Sequence, residues 1–554
     1  MKLLISEVMF FLKNKVYIAI IGLTAVCSYG FMISHQTIGV DDTATLLYFK
    51  EGLAPAIGRW SLYLLNKVFY LSDFSPWMVE LVSILIFILS VTLWCVLFRR
   101  ILGDKISIWG YAIFAGIFLS CPIHSEVFVY YLHNGICLGY GVIALSLITV
   151  LSCMRRGTSS RAVVNRFFLA VLGIVVSIGF YESFLIVYAV GTVMLFYLIH
   201  LVHDGAEEDL RYQDKVLPWI GILGLTGVLA VILRSICLMI LKWLFGFEIP
   251  ENFIVTYRSI FQVSYANFSD LFMLLKKFWV LYYVNAFVYL PIAILVTAMT
   301  VITFYAVKHA LCWKNGMPLL GAVAIAVIPV SMAVVEGYPT RYRTGQYVPL
   351  VCAFAVLLLF WEWNKHIYPR WMSYAAIMSL IVLLYNQCAD MNKWFYIDYL
   401  KYEDAMNTMN QVAYELEKNY NTSKPIIFRG VYRVPYEIVR PAYCSFSSDE
   451  YKWICRVTDI VDVHLKEKFF AEDGRGYVFV ETPVYSTLQW GITAFDNTSW
   501  QLIEFWKMHG YEFRAETDLN KIKDADKLRE GMPGFPRQGS IVECDEYIIV
   551  NFGW

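Results

Sequence analysis

Eleven apolar runs, each close to the length needed to cross a bilayer, constrain this chain more than any other feature. They lie near residues 16–34, 78–98, 106–121, 134–154, 164–180, 184–202, 216–244, 278–305, 317–335, 346–362 and 371–388. A hydrocarbon core of about 30 Å takes about 20 helical residues. Inside it, a single segment satisfies its backbone polar groups only by becoming a helix. The chain is 58% hydrophobic and 16% charged, whereas soluble domains carry about 25% charged residues. It reads as a polytopic α-helical membrane protein. Lys2, Lys13 and Lys15 precede the end of the first run's approach, and no small-residue cleavage site follows it. That run therefore reads as a retained span rather than a signal peptide.

The formal net charge is zero but unevenly divided. Residues 1–388 hold 26 Lys+Arg against 19 Asp+Glu, and residues 389–554 hold 19 against 26. The break predicts a membrane domain over 1–388 and a separate α/β domain over 389–554. In the second, a long helix is expected around 394–419, and "KPIIFRG" and "YVFVE" read as strands. "NTSWQLIEFWKMHG" reads as a helix opened by N-cap residues and closed by Gly, and "GSIVECDEYIIVNF" as a closing hairpin. Basic residues set the expected orientation. With the N-terminus inside, the inner segments hold 16 Lys and Arg and the outer ones 8. An odd span count then puts the C-terminal domain outside the membrane. No basic tract points to nucleic acid. The twelve cysteines lack metal-ligand spacing, and Cys444, Cys455 and Cys544 leave the pairing of one disulfide open.

There is no P-loop, no Rossmann glycine fingerprint and no HExxH zinc motif, which argues against ATP-driven transport. "GILGLTG" (221–227) lies inside a span and reads as a helix-packing face. "WSLYLLNKVFYL", in the first outer loop, reads as a helix lying along the interface, and residues 246–277 share that composition.

The remaining polar residues gather on the expected outer side. Asp41 and Asp42 follow the first span, with Arg59 in the same loop. His124 and Glu126 follow the third span, and Glu182 tips the turn "GFYESF". Arg234 lies within the seventh span, and Glu336, Arg341 and Arg343 surround "EGYPTRYRTG". Each has a simpler role available. Asp41 or Asp42 suits the N-cap of "TATLLYFK", His124 and Glu126 suit an ordinary loop, and Arg234 suits snorkelling to lipid phosphate. As a group, carboxylates beside guanidiniums at a bilayer edge offer a base for a hydroxyl and a clamp for a phosphate.

"HQTIGVDDT" followed by "GRW", with "YES" between paired spans and "MPGFPRQGSI…IIVNF" at the end, resembles the serotype-converting O-antigen glucosyltransferases of bacteria and their phages. The resemblance implies the GT-C superfamily of membrane glycosyltransferases, which use lipid-linked sugar donors and carry a catalytic carboxylate in the first outer loop. It implies Asp42 as base with Asp41 beside it, and glucose as the sugar. It also implies a polyprenyl-phosphate donor, a cell-surface polysaccharide acceptor and a place in the bacterial cytoplasmic membrane. Arg341, Arg343, Arg59 and Arg234 are the candidate phosphate ligands, and His124, Glu126, Glu182 and Glu336 the candidate substrate contacts. No cofactor is expected, and two adjacent carboxylates without further ligands do not favour an obligatory divalent metal. The competing readings are a transporter or flippase of lipid-linked glycans and a non-catalytic envelope scaffold.

Overall fold

The computed structural model describes residues 2–39, 58–69, 76–130, 133–153, 159–203, 216–246, 292–313, 316–329, 331, 344–365, 369–430, 432 and 499–553. The chain divides into two compact units. One comprises residues 1–34, 54–249 and 254–392; the other comprises 35–53, 250–253 and 393–554.

The first unit is helical. Its helices are α1 (Lys2–Leu12), α2 (Lys15–Ser34), α3 (Trp60–Phe69), α4 (Pro76–Leu102), α5 (Ile108–Leu119) and α6 (His133–Cys153). They continue with α7 (Ser160–Phe180), α8 (Phe184–His203), α9 (Val216–Phe245), α10 (Ile292–Trp313), α11 (Met317–Val327) and α12 (Val348–Trp363). The last helix, α13 (Arg370–Asn419), runs on into the second unit. Among the described residues, eight helices are long and apolar enough to cross a membrane, and α11 and α12 are apolar but shorter. Eight is fewer than the eleven expected spans; α10, α11 and α12 overlap the eighth, ninth and tenth, and parts of the eighth and ninth fall outside the described residues. At 50 residues α13 far exceeds one bilayer crossing. It merges the last expected span with the helix expected at 394–419.

Small residues let these helices approach. A side chain on Gly191 of α8 would stand 2.7 Å from the Trp94 ring of α4. The "GILGLTG" expectation is corrected here. Among the described residues, a side chain at Gly221 or Gly224 would meet nothing within 4 Å, and of the three glycines Gly227 alone faces α8, through Tyr188 and Leu185. Several buried polar groups in the bundle find backbone acceptors, as burial favours. Tyr29 donates to the Leu119 carbonyl at 2.7 Å, Ser90 to that of Cys137 at 2.7 Å, and Trp94 to that of Tyr140 at 3.2 Å. The helix α1 precedes the first expected span. Its Glu7 takes a charge-assisted bond from Arg100 at 2.6 Å, and Arg100 also donates to Ser152. An arginine that counts only as a topological charge in the sequence thus ties three helices together.

In the second unit, β1 (Ile426–Arg429), β2 (Ile541–Glu543) and β3 (Ile548–Asn551) form a sheet of order β1-β3-β2. β1 runs parallel to β3, and β2 and β3 form the antiparallel hairpin. β1 and β3 are buried on both faces, with the period of two that a pleat imposes, whereas β2 buries only Ile541. Ile426, Phe428, Ile548 and Val550 pack with Val412 and Leu416 of α13 and with Phe505 and Trp506 of α14 (Trp500–Met508). Ile427 and Ile549 face Ile522 and Ala525 of α15 (Leu519–Arg529). Arg429 is 4% exposed and pairs with Asp526 at 2.9 Å, where burial lowers its pKa and the carboxylate opposes that shift. Asn551 holds the "MPG" turn through the Met532 and Pro533 carbonyls. Residues 35–39 belong to this unit: Thr37 donates to Asp398 at 2.6 Å, and the His35 ring meets that of Tyr399. "YVFVE", Cys444 and Cys455 lie outside the described residues, and Cys544 is a free thiol.

Candidate functional site

Two of the short stretches singled out in the sequence, "GRW" and "YES", meet in the first unit. The turn before α3 passes through Gly58 at φ +97°, a backbone region that L side chains rarely adopt. Helix α3 then begins at Trp60. Its first turn is not an interfacial float, as its composition suggests. Ser61, Leu62 and Tyr63 are buried, while Leu64 and Val68 farther along are exposed. Two glycines allow this. A side chain on Gly135 of α6 would stand 2.8 Å from Leu62, and one on Gly179 of α7 would stand 2.8 Å from the Trp60 ring.

Helix α7 ends at Phe180, and Tyr181 leaves it in an extended conformation. The turn closes through Phe184 N–H donating to the Tyr181 carbonyl at 3.2 Å and Leu185 N–H to that of Glu182 at 3.1 Å. This geometry presents Tyr181, Glu182 and Ser183 in three directions. The Arg59 guanidinium lies over the Tyr181 ring, 4.5 Å from its centroid. Ser183 donates to the side-chain oxygen of Gln346. Glu182 meets Arg234 of α9 at 2.5 Å, with both side chains 18% exposed. The same Arg234 nitrogen, Nη2, reaches the Gly58 carbonyl at 3.4 Å. Tyr140 of α6 completes the cluster by donating to the Gln346 carbonyl at 2.6 Å.

Arg234 therefore has a protein partner, in place of the lipid phosphate that its position alone suggests. Its Nε is buried and has no hydrogen-bond partner among the described residues, and the same holds for Trp60 Nε1 and Ser61 Oγ. Unpaired buried donors are expensive. All three lie on or against the Gly58–Ser61 stretch, Arg234 through the Gly58 carbonyl and Trp60 and Ser61 against Gly179 of α7.

The other sequence candidates are placed differently. His124 is buried, with Nε2 at 2.9 Å from the Phe118 carbonyl and its ring packed on Phe87 and Tyr140. Glu126 is buried in the single helical turn Ser125–Phe128. Tyr140 links this aromatic nest to Gln346. Asp41, Asp42, Glu336, Arg341 and Arg343 lie outside the described residues. Among the described residues no three His, Cys, Asp or Glu side chains gather as metal ligands. Gly58, Tyr181, Ser183 and Gln346 are additions from the structure. The only sequence signal for Gln346 is its position three residues after Arg343, at the mouth of an apolar run.

Apolar helices in this number, with a charged cluster built from their connecting turns, define a multi-pass membrane protein with a polar site. The chain belongs to the glucosyl transferase GtrII family, whose model matches residues 30–360. That match encloses the whole cluster from Gly58 to Gln346 and excludes the sheet of the second unit. No curated protein and no solved structure matches the chain.

Proposed function

We infer that this glucosyltransferase takes its sugar from a polyprenyl-phosphate donor and transfers it to a cell-envelope glycan on the outer side of the cytoplasmic membrane. The observation that carries the reading is the pair of guanidiniums, Arg59 in the turn before α3 and Arg234 within α9, gathered about the Tyr181–Glu182 turn of a membrane bundle. A sugar phosphate leaves with its electron pair on a phosphate oxygen, so cationic groups aimed at that oxygen stabilise the departure. The acceptor hydroxyl oxygen bonds to the sugar's anomeric carbon as the carbon–phosphate oxygen bond breaks, and a carboxylate takes the hydroxyl proton. Asp42 is the proposed base, with Asp41 orienting the sugar. Arg341 and Arg343, two residues apart in a Pro- and Gly-containing stretch, are proposed to add to the phosphate clamp. Aromatic residues in "VYSTLQWGITAF" of the C-terminal domain are proposed to meet the acceptor glycan.

Purified protein incubated with polyprenyl-phosphate glucose and envelope polysaccharide should yield glucosylated polysaccharide and free polyprenyl phosphate. Movement of intact lipid-linked glycan across proteoliposomes without glucose transfer would instead establish a flippase. Orientation has its own test. A reporter active only in the cytoplasm, fused after Trp554, should be silent, because the basic residues concentrate on the opposite side. Strong reporter activity would move the site to the inner face and remove the outer-side acceptor.

A further inference from the structure

The pairing of Glu182 with Arg234 has a geometry that a structural ion pair does not need. The carboxylate uses one guanidinium nitrogen, Nη2, through one oxygen. The adjacent Nε is buried and has no partner among the described residues. An arginine paired for stability usually offers both nitrogens of one edge to two oxygens. Here one half of that edge stays open. The second contact of Nη2, to the Gly58 carbonyl, is long at 3.4 Å. Gly58 also keeps side-chain atoms away, since a Cβ there would strike the Arg234 guanidinium and stand 3.2 Å from Glu182 Oε1.

The surroundings of Arg234 on α9 are equally specific. Ala230, one turn before it, is fully buried, while Leu233, Ile236, Met239 and Ile240 are exposed. Arg234 thus stands on the seam between the packed face of α9 and an apolar flank. A ligand with a phosphate head and a long hydrocarbon tail can lay the tail along that flank and bring the head to the guanidinium.

We propose that Glu182 is a resident counter-anion that the donor's phosphate displaces from Arg234. The inference rests on the phosphate role proposed above for Arg234. A phosphate presents several oxygens and can engage Nε and Nη2 together, gaining the bond that the carboxylate leaves unmade. The exchange keeps Arg234 neutralised before donor arrives, which a charge in a bilayer helix requires. Glu182, still 18% exposed, turns away as the phosphate enters. The cost is a weaker apparent affinity, because only the fraction of molecules with the pair open can bind.

The test measures equilibrium binding of sugar-free polyprenyl phosphate to the full-length protein in nanodiscs. Glu182→Gln removes the competitor and should tighten binding about tenfold. Arg234→Gln should weaken it by at least about thirtyfold. Glu182→Asp keeps the charge on a shorter arm and should fall between wild type and Glu182→Gln, which preserves the test if the glutamine variant folds poorly. Unchanged or weaker binding in a folded Glu182→Gln protein, or in Glu182→Asp when that is the variant measured, overturns the exchange, because a purely structural pair loses affinity when broken. Inorganic phosphate and phosphatidylglycerol nanodiscs identify the source of the phosphate. If they alone respond to Glu182→Gln, the exchange stands and the polyprenyl donor fails. If polyprenyl phosphate binds wild type and Glu182→Gln alike, the donor stands and the exchange fails.

Discussion

Asp42→Asn is expected to give a folded, membrane-inserted protein whose glucose transfer is slower by about a hundred- to ten-thousand-fold, the usual loss when a general base is removed. The substitution separates chemistry from structure. Asparagine caps a helix about as well as aspartate, so if Asp42 only caps "TATLLYFK" the variant keeps its activity and loses little stability. A base loses its function outright, because an amide does not accept the acceptor's proton. Initial rates with polyprenyl-phosphate glucose, beside a thermal melt of the same sample, distinguish the two. The same measurement on Asp41→Asn should show a smaller loss, in keeping with a role in orienting the sugar. Normal turnover in both variants would remove the acidic pair from the mechanism.

Gly58→Ala should be nearly as damaging, although it removes no functional group. At φ +97° an alanine is strained by about 1–2 kcal/mol. Its methyl would also meet the Arg234 guanidinium and Glu182 Oε1, so one of them has to move. A displacement of about 1 Å at a positioning group costs about a hundredfold in rate. Transfer is therefore expected to drop by about a hundredfold, with a modest fall in melting temperature. Gly221→Ala and Gly224→Ala are the controls. Both sit within α9 with nothing within 4 Å of an added Cβ among the described residues, and alanine there should leave activity unchanged and add about 0.5–1 kcal/mol of stability each. Wild-type transfer by Gly58→Ala would show that the turn does not shape the site.

Much of this molecule was legible along the chain. Where a feature depends on neighbours in sequence, local chemistry sufficed. A run of about 20 apolar residues has one way to satisfy its backbone in a bilayer, and eight helices among the described residues are long and apolar enough to cross one. "GSIVECDEYIIVNF" alternates around a turn and pairs as β2 and β3. The weaker readings involved features whose meaning is set by distant partners. "GILGLTG" has the spacing of a packing face, but among the described residues the neighbouring helix reaches only Gly227. "WSLYLLNKVFYL" has the amphipathic pattern of an interfacial helix, yet glycines 75 and more residues away open a slot for its first turn. Arg234 looked like a charge in need of lipid phosphate, and its carboxylate partner lies 52 residues earlier in the chain.

The sequence by itself determined the membrane class, the apolar helices and the short stretches that carry the family resemblance. These follow from composition and from periods of two to four residues, which act within one element. Only the tertiary structure brought Gly58, Arg59, Glu182, Arg234 and Gln346 into one cluster. Arg234 bonds to a carbonyl 176 residues away and Ser183 to an amide 163 residues away. Such pairings arise from how helices pack, which depends on where small residues such as Gly135 and Gly179 let them approach. No local pattern encodes which distant helix will fill that space.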